Sequence, residues 1–444
     1  MSKQVLRDLG DGLVLRRASA EDVDALCELN ANVLRDPDEK EPNQRVVIIT
    51  RDLMERSHPT FGDGGFTLVE DTSTGAIVSA LCLVPQTWSY GGVEFGVGRP
   101  ELVATDPQYR RRGLVRAQFE VVHEWSAQLG HWVQAITGIP WFYRQFGYGM
   151  ALDLGGGREG FRASIPKLKE GAEEPYQVRL ATEKDLPFLV ETYRGVGERY
   201  LVTCVRDKAQ WRYELSGRSQ ENGDRREICV VEDTGGEPVG LVTHGSRLWR
   251  QTLPVFAYEL AAGVSWLAVT PSILRYLEAT GASYEEKDDK QDFALFAFWL
   301  ETEHPVYDAI RNWIPQTRRP YAWYVRVADL PGFVRHIAPV LESRLTDSYL
   351  VGHTGEVKLS FYTDGLRLEF EQGRLKTAEA WRPEHLESGA AFFPDHTFLQ
   401  LLFGFRTLEE LRRARADCWG EDNEARALLE VLFPRQASHV WPLM

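Results

Sequence analysis

A basic turn that contains glycine is the segment of the sequence best suited to chemistry. Three arginines at 110–112 precede Gly113, and they follow a predicted strand at 93–105. Apolar residues recur on one face after Leu114, which predicts a helix from that point. The free N–H groups at the start of a helix bind anions, and arginines add positive charge. The turn therefore indicates a cradle for a pyrophosphate, and the alternative is an ordinary helix start with solvated arginines.

An internal repeat supplies the elements that must position this turn. Segments near 13–26 and 176–189 both predict a strand followed by a helix, and the later strand–turn segments at 66–75 and 228–237 match at almost the same separation. In the two copies Ser19 and Thr182 can cap the helix that follows, each with an aspartate three residues on. Two matches at one separation favour a duplicated unit over two unrelated strand–turn segments.

Three domains are predicted from this pattern. Residues 1–160 and 175–318 form two copies of one α/β unit, and a stretch rich in Gly, Lys and Glu links them. Residues 321–444 have a different pattern, with a hairpin signal at Asp364-Gly365 and several short helices, which is typical of an α+β domain.

The basic turn resembles a known motif. Arg110-Arg-Arg-Gly-Leu-Val is similar to the Arg/Gln-x-x-Gly-x-Gly/Ala loop with which GNAT N-acetyltransferases bind acetyl-CoA. Val115 departs from the pattern, because the family usually has Gly or Ala there. A backbone amide at Val115 can still donate a hydrogen bond, so the departure does not disable the loop.

A second segment narrows the resemblance. Phe142-Tyr-Arg-Gln-Phe-Gly-Tyr-Gly resembles the Tyr-x-x-Phe-Gly-Tyr motif of the Eis-like (enhanced intracellular survival) acetyltransferases. That family implies an α/β fold with tandem GNAT domains, each a mixed sheet flanked by helices, and a C-terminal α+β domain like sterol carrier protein. It also implies a homo-oligomer, a hexamer in the family, whereas a monomer with internal aromatic residues is the alternative.

The resemblance implies which residues contact acetyl-CoA. Strand backbone would hold the acetyl and pantetheine arm, amides of the turn would hold the pyrophosphate, and the end of the second strand would border the cosubstrate. By position these residues are Val103, Ala104, Thr105, Arg110, Arg111, Arg112, Gly113, Leu114, Val115, Arg116 and Gly138. No metal is expected, because the histidines show no metal-ligand spacing.

An acid and a base complete the expected site. Tyr143 is the predicted proton donor, since a phenol with a pKa of about 10 is protonated at neutral pH; the alternative is one more core aromatic. Eis-like enzymes use the C-terminal carboxylate as base, and the apolar ending Trp441-Pro-Leu-Met444 suggests that it docks into the protein. Glu101 is the competing base, because strand alternation places it on the face of Val103 and Thr105.

The second copy lacks the basic turn. Its equivalent segment, near 259–274, has no arginine cluster and no glycine after one. One active site per chain is therefore expected, with the second copy as scaffold and substrate wall.

Composition limits the partners. The net charge of −14 argues against nucleic acid and mildly favours a cationic ligand. No stretch is apolar enough for a membrane span, and the first residues lack a secretory signal, so a cytoplasmic protein is expected. A small-molecule amine is the expected acceptor, and both the net charge and the resemblance favour a cationic one. The alternatives are lysine or N-terminal amines of proteins and peptides, or a non-catalytic protein that binds acyl-CoA or an apolar ligand.

Overall fold

Secondary structure covers most of the chain. The computed structural model describes residues 5–62, 64–287, 291–385, 389–420 and 422–440. The described ranges contain these strands: β1 Val5–Gly10, β2 Leu13–Arg17, β3 Phe66–Asp71, β4 Ala76–Tyr90, β5 Val93–Thr105, β6 Val133–Ile136, β7 Gly149–Leu154, β8 Gly157–Phe161, β9 Gln177–Leu180, β10 Val202–Cys204, β11 Arg226–Glu232, β12 Pro238–Gly245, β13 Thr252–Leu260, β14 Leu295–Phe298, β15 Gln316–Arg318, β16 Tyr321–Val327, β17 Gly355–Ser360, β18 Gly365–Glu371, β19 Arg374–Trp381 and β20 Ala391–Phe392.

Helices lie between groups of these strands. The same ranges contain these helices: α1 Val23–Val33, α2 Gln44–Glu55, α3 Leu114–Gln128, α4 Leu186–Arg194, α5 Val196–Arg199, α6 Lys208–Arg212, α7 Trp266–Lys287, α8 Pro305–Ala309, α9 Leu330–His336, α10 Ala338–Thr346, α11 Thr397–Leu402, α12 Leu408–Ala414 and α13 Asn423–Leu432. Within the described residues, no helix combines the length and apolar character that a bilayer crossing requires.

The first sheet crosses the domain boundaries expected from the sequence. Its order is β1-β2-β3-β4-β5-β6-β16-β7, and β10 pairs with the outer part of β4. Strand β16 lies beyond residue 320, in the segment assigned to the third domain, yet it pairs antiparallel with both β6 and β7. Trp323 and Val325 of β16 are fully buried. This strand therefore completes the core of the first sheet by bringing apolar side chains from a distant part of the sequence.

The second sheet also takes a strand from across a boundary. Its order is β15-β8-β14-β13-β12-β11-β9, and β8 precedes the linker. A side chain at Gly157 or Gly160 would collide with the backbone of Phe298 or Trp313. These two glycines therefore let β8 lie against β14 and β15, so the two sheets are joined where β7 leads into β8.

The third region contains the predicted hairpin. Strands β17 and β18 pair antiparallel, with Ser360 opposite Gly365, in a small sheet of order β19-β18-β17-β20. Helices α9–α13 pack on it, and the buried core that includes Leu359 and Phe398 continues into Trp323 and Val202 of the first sheet. The third region and the first sheet thus share one hydrophobic core.

The sequence repeat corresponds to two equivalent ion-pair networks. In the first copy Arg16 bonds Asp22 at 2.7 Å and Glu70 at 2.6 Å. In the second, Arg179 bonds Asp185 at 2.8 Å and Glu232 at 2.7 Å. Ser19 and Thr182 form capping boxes with these aspartates. The same network occurs in both copies. It joins β2, the following helix start and β3 in the first copy, and β9, the following helix start and β11 in the second.

These networks generate a stability prediction with a built-in comparison. The Arg16 side chain is 3% exposed, whereas that of Arg179 is 39% exposed. Arg16→Met should lower the free energy of unfolding by about 3 kcal/mol, because it leaves a buried carboxylate without its cation. Arg179→Met should cost about 1 kcal/mol, because solvent screens that pair. Urea unfolding of both variants measures the difference, and equal losses would contradict the prediction.

Candidate active site

The central strands β5 and β6 pair briefly and then diverge. Within the described chain, their parallel ladder consists of Val97 with Val133 and Gly98 with Gln134. Strand β5 continues well past this ladder to Thr105 along β4, while β6 runs on to Ile136 and pairs with β16 along its other edge. We call the gap between the diverging ends the wedge. It leaves strand backbone open for a ligand at the carboxyl ends of β5 and β6.

A bulge in β5 shapes one edge of the wedge. Leu102 has φ of 52°, and β5 gains one residue relative to β4 between Glu101 and Ala104. Bulges bend a strand and redirect the residues that follow. The backbone of Val103, Ala104 and Thr105 comes directly after this bulge, at the edge of the wedge. The bulge also breaks the simple alternation from which Glu101 was expected to share a face with Val103 and Thr105.

The basic turn leads from β5 into α3. Arg111 and Gly113 both adopt left-handed backbone, with φ of 64° and 77°, and Gly113 is the N-cap residue of α3. A Cβ at Gly113 would meet no atom within 4 Å. The glycine is therefore required by its backbone conformation, since left-handed φ strains other residues. The open space beside it exposes the first N–H groups of the helix, as the predicted cradle requires.

The arginines of the turn are exposed, and the polar contacts of their side chains are long. Arg112 lies 3.7 Å from Asp11, and Arg116 donates to the side chain of Gln145 at 3.2 Å. Arg110 lies 3.4 Å from the carbonyl of Thr105. The remaining two cradle residues turn inward: Leu114 is buried and Val115 is half-buried against the core around Tyr143. The turn thus presents its charge outward while its apolar residues anchor α3.

Tyr143 lies in an aromatic cluster beside the end of β6. Its side chain is 4% exposed and contacts Phe119, Phe142 and Tyr148 edge to face. Burial raises the pKa of Tyr143, and the nearby Glu101 raises it further. The phenol therefore stays protonated at neutral pH. A Cβ built on Gly138, which has φ of 117°, would lie 3.8 Å from the Tyr143 hydroxyl, so the structure brings these two predicted residues together.

Two tyrosines of β16 complete this part of the site and were not expected from the sequence. Tyr321 donates a hydrogen bond to the carbonyl of Gly138. The hydroxyl of Tyr324 accepts one from the backbone of Trp141 at 3.3 Å. The alternating aromatic pattern of 321–327 predicts a strand, but nothing in it identifies the neighbouring strand in the sheet. These contacts fix the loop between β6 and β7, which carries Tyr143.

Glu101 belongs to a second buried cluster. It forms an ion pair with Arg99, whose guanidinium lies 4.7 Å from the ring centre of Trp323. Burial raises the pKa of Glu101, while Arg99 acts in the opposite direction. Burial outweighs the ion pair, so the pKa of Glu101 is raised overall and Arg99 only limits the rise.

The C-terminal segment reaches this second cluster. The Trp323 indole donates to the carbonyl of Val440 at 3.0 Å, and Val440 is buried. Two backbone hydrogen bonds join Ala437 and His439 to the chain around β10. Met444 lies outside the described residues, about 13 Å of extended chain beyond Val440.

The second copy closes the equivalent wedge with its own residues. Strands β13 and β14 pair from Thr252 to Val255, a longer ladder than that of β5 and β6. Beyond it, His304 donates to the carbonyl of Tyr258 at 3.0 Å, and the buried Glu259 pairs with Arg199. The turn at 261–265 contains no lysine or arginine. A buried carboxylate and an occupied carbonyl make this region unsuitable for a pyrophosphate.

Comparison with known proteins agrees with this geometry. Residues 14–151 match the acetyltransferase (GNAT) domain family. Among solved structures, the fold is similar to a probable N-acyltransferase from Enterococcus faecalis (TM-score 0.67, 12% identity, 97% of this chain and 100% of that one). It is also similar to a GCN5-related N-acetyltransferase from Kribbella flavida (0.64, 19%, 97% and 98%) and to Eis1 from Mycobacterium abscessus (0.57, 15%, 96% and 98%). No curated protein matches the sequence.

The matched domain defines the class of the protein. The domain contains the wedge, the basic turn and Tyr143, so the chain carries an acetyltransferase domain of the GNAT type and is an N-acetyltransferase. Among the residues that the structure describes, no cluster of three or more His, Cys, Asp or Glu side chains is arranged to hold a metal ion.

The turn generates a binding prediction with a matched control. Gly113 and Gly130 lie at opposite ends of α3, both with φ of 77° and with no atom within 4 Å of a built Cβ. Replacing either by Val should cost about 1–2 kcal/mol of stability through left-handed strain. Gly113→Val should also weaken acetyl-CoA binding at least about tenfold, because a displaced amide no longer reaches the anion. Calorimetric titration of both variants checks this, and equal affinities would contradict the cradle.

Proposed function

We propose that the chain transfers the acetyl group of acetyl-CoA to an amine at the wedge of the first copy. The observation that carries this proposal is the position of the wedge between an anion-binding helix start and a buried, protonated phenol. Atoms balance in a simple way: a nitrogen–carbon bond forms, the carbon–sulfur bond breaks, and the proton lost by the amine is matched by one gained by the CoA thiolate.

The residues around the wedge fit acetyl-CoA. The backbone of Val103, Ala104 and Thr105 is placed to hold the acetyl and pantetheine arm, and the amides from Arg111 to Arg116 are placed to hold the pyrophosphate. Gly138 would border the cosubstrate beside Tyr143, whose hydroxyl lies 3.8 Å from a Cβ built at that position. The bound cosubstrate supplies the activated acetyl group. The chain supplies orientation and electrostatic stabilisation.

Tyr143 acts as the general acid in this proposal. Its raised pKa keeps the proton on the phenol until a basic thiolate forms nearby. No hydrogen bond of its hydroxyl to another group occurs in the described part of the chain, and its ring is fixed by aromatic contacts on several sides. The phenol is therefore fixed in place and free to donate.

The terminal carboxylate of Met444 is the proposed base. In support, the buried path of the segment up to Val440 leads to Trp323, next to Arg99 and Glu101. Glu101 is the weaker candidate, because Arg99 already neutralises it. Four residues follow Val440, and an extended segment of that length spans about 13 Å.

The proposal also includes the expected oligomer, the type of C-terminal domain, the location of the protein and the acceptor. The resemblance of the 142–149 segment to Eis-like enzymes favours a homo-oligomer, a hexamer in that family, and a C-terminal domain like sterol carrier protein. A cytoplasmic location and the absence of nucleic-acid and membrane partners follow from the sequence arguments alone. The expected acceptor is a small-molecule amine. The prediction that it is cationic rests on the net charge of the whole chain.

Activity with a Tyr143 variant tests the proposed chemistry. Tyr143→Phe should lower turnover by about 10²- to 10⁴-fold, the usual loss for a general acid, while acetyl-CoA affinity stays nearly unchanged. CoA release with an amine panel measures turnover, and mass spectrometry of the acceptor identifies the acetylated product. Tyr148→Phe is the control, because it removes a hydroxyl from the same cluster. Unchanged turnover in Tyr143→Phe would reduce the phenol to a packing role.

Truncation separates the two candidate bases. Deleting Leu443 and Met444 moves the carboxylate back by about 7 Å and should remove most activity, whereas changing Met444 to Leu should have little effect. Glu101→Gln should then be the milder change. Parallel rate measurements, with acetyl-CoA binding as the folding control, decide between them. Full activity after truncation together with a severe loss in Glu101→Gln would assign the base to Glu101.

A further inference from the structure

A cleft of about 320 Å³ lies between the two copies, next to the site. Tyr321 lines it and also donates to the carbonyl of Gly138, beside Tyr143. Asp224 lines the cleft as well. Burial is the largest cause of the raised pKa of Glu101, Arg99 opposes it, and the negative charge of Asp224 makes a smaller upward contribution. Both observations place the cleft within reach of the wedge, on the side of the second copy. A cleft in this position offers a route toward the wedge.

The charge of this cleft is opposite to that of the chain. One acidic residue, Asp224, lines it together with six arginines: Arg45, Arg225, Arg226, Arg247, Arg318 and Arg319. The chain as a whole carries a net charge of −14. A positive cleft in an acidic protein is a local feature, and such a cleft raises the local concentration of anions.

Aromatic side chains hold several of these arginines in place. The guanidinium of Arg318 lies 3.7 Å from the ring centre of Trp299, and that of Arg226 lies 4.3 Å from Phe256. Stacking fixes the plane of a guanidinium and leaves its N–H edge able to bind carboxylate or phosphate in a bidentate way. The same rings provide a flat apolar wall beside the charge.

Burial makes these cations responsive to an anion. It lowers the pKa of Arg318 and also that of Arg226, the latter to about 9. Both groups remain charged at neutral pH, and an incoming anion would stabilise the charged form that burial disfavours. A polycation entering the cleft would meet like charges instead.

We propose that the acceptor is an amine that carries an anionic group, a carboxylate or a phosphate, joined to a flat or apolar portion. The arginines bind the anion, the aromatic wall contacts the apolar portion, and the amine extends toward Tyr143. This inference rests on the proposed function for the role of the amine, and it replaces the cationic small molecule expected from the net charge.

Matched amines test the inference. The pairs are tyrosine with tyramine and O-phosphoethanolamine with ethanolamine, and spermidine serves as the polycation. The anionic member of at least one pair should exceed its partner in kcat/KM and in calorimetric affinity by at least about tenfold, and spermidine should be poorest. A preference in the first pair identifies a carboxylate, and a preference in the second identifies a phosphate.

Paired variants locate the effect in the cleft. Arg247→Gln combined with Arg319→Gln removes two exposed cleft cations, and it should raise KM for the anionic amine and abolish the preference. Arg311→Gln combined with Arg413→Gln makes the same change in charge at exposed positions outside the cleft lining, and it should leave the preference intact. Acetyl-CoA affinity should stay the same in both.

The outcomes separate this inference from the proposed function. If amines are acetylated but neither anionic amine exceeds its partner, or spermidine is acetylated as well as the anionic amines, the inference is overturned and the proposed function stands. If the anionic amines bind preferentially, and only the cleft variant loses that binding, but no amine is acetylated, the anion site stands and the proposed function fails. Absence of preferential binding, or equal behaviour of the two double variants, overturns the inference.

Discussion

The short pairing between β5 and β6 is the constraint on which the rest of the structure depends. Two residue pairs join these strands, and the outer edges of β5 and β6 pair with β4 and β16. Strand backbone left unpaired inside a protein needs hydrogen bonds from elsewhere. The divergence therefore creates a place where a ligand with an extended polar arm can pair with the sheet. The bulge at Leu102, the turn at Gly113 and the loop with Tyr143 all border this opening.

Duplication followed by closure of one copy explains why a chain of two similar units has one candidate site. The ion pairs of Arg16 and Arg179 keep the same scaffold in both copies. In the second copy a longer ladder, the His304 side chain and the buried Glu259 occupy the equivalent space. The second copy instead supplies one wall of the arginine-lined cleft. The second copy thus provides structure next to the candidate site of the first.

Local pattern predicted the parts of the site that are continuous in sequence. The strand, basic turn and helix around Gly113 form as the spacing indicates, and so do the capping boxes of both copies and the hairpin at Asp364-Gly365. The insertion of β16 between β6 and β7 was not predicted, because strand alternation gives a strand but not its neighbour. Tyr321, Tyr324 and the cleft arginines were missed for the same reason. They come from segments hundreds of residues apart, and their proximity depends on long-range packing.

Hydrogen–deuterium exchange with and without acetyl-CoA tests the central claim most directly, because it reports backbone amides along the whole chain. The account predicts slower exchange on binding for amides in 103–116 and around Gly138, and unchanged exchange in 258–274. Protection at 258–274, or a bound cosubstrate that leaves 103–116 unprotected, would contradict the assignment of acetyl-CoA to the wedge of the first copy.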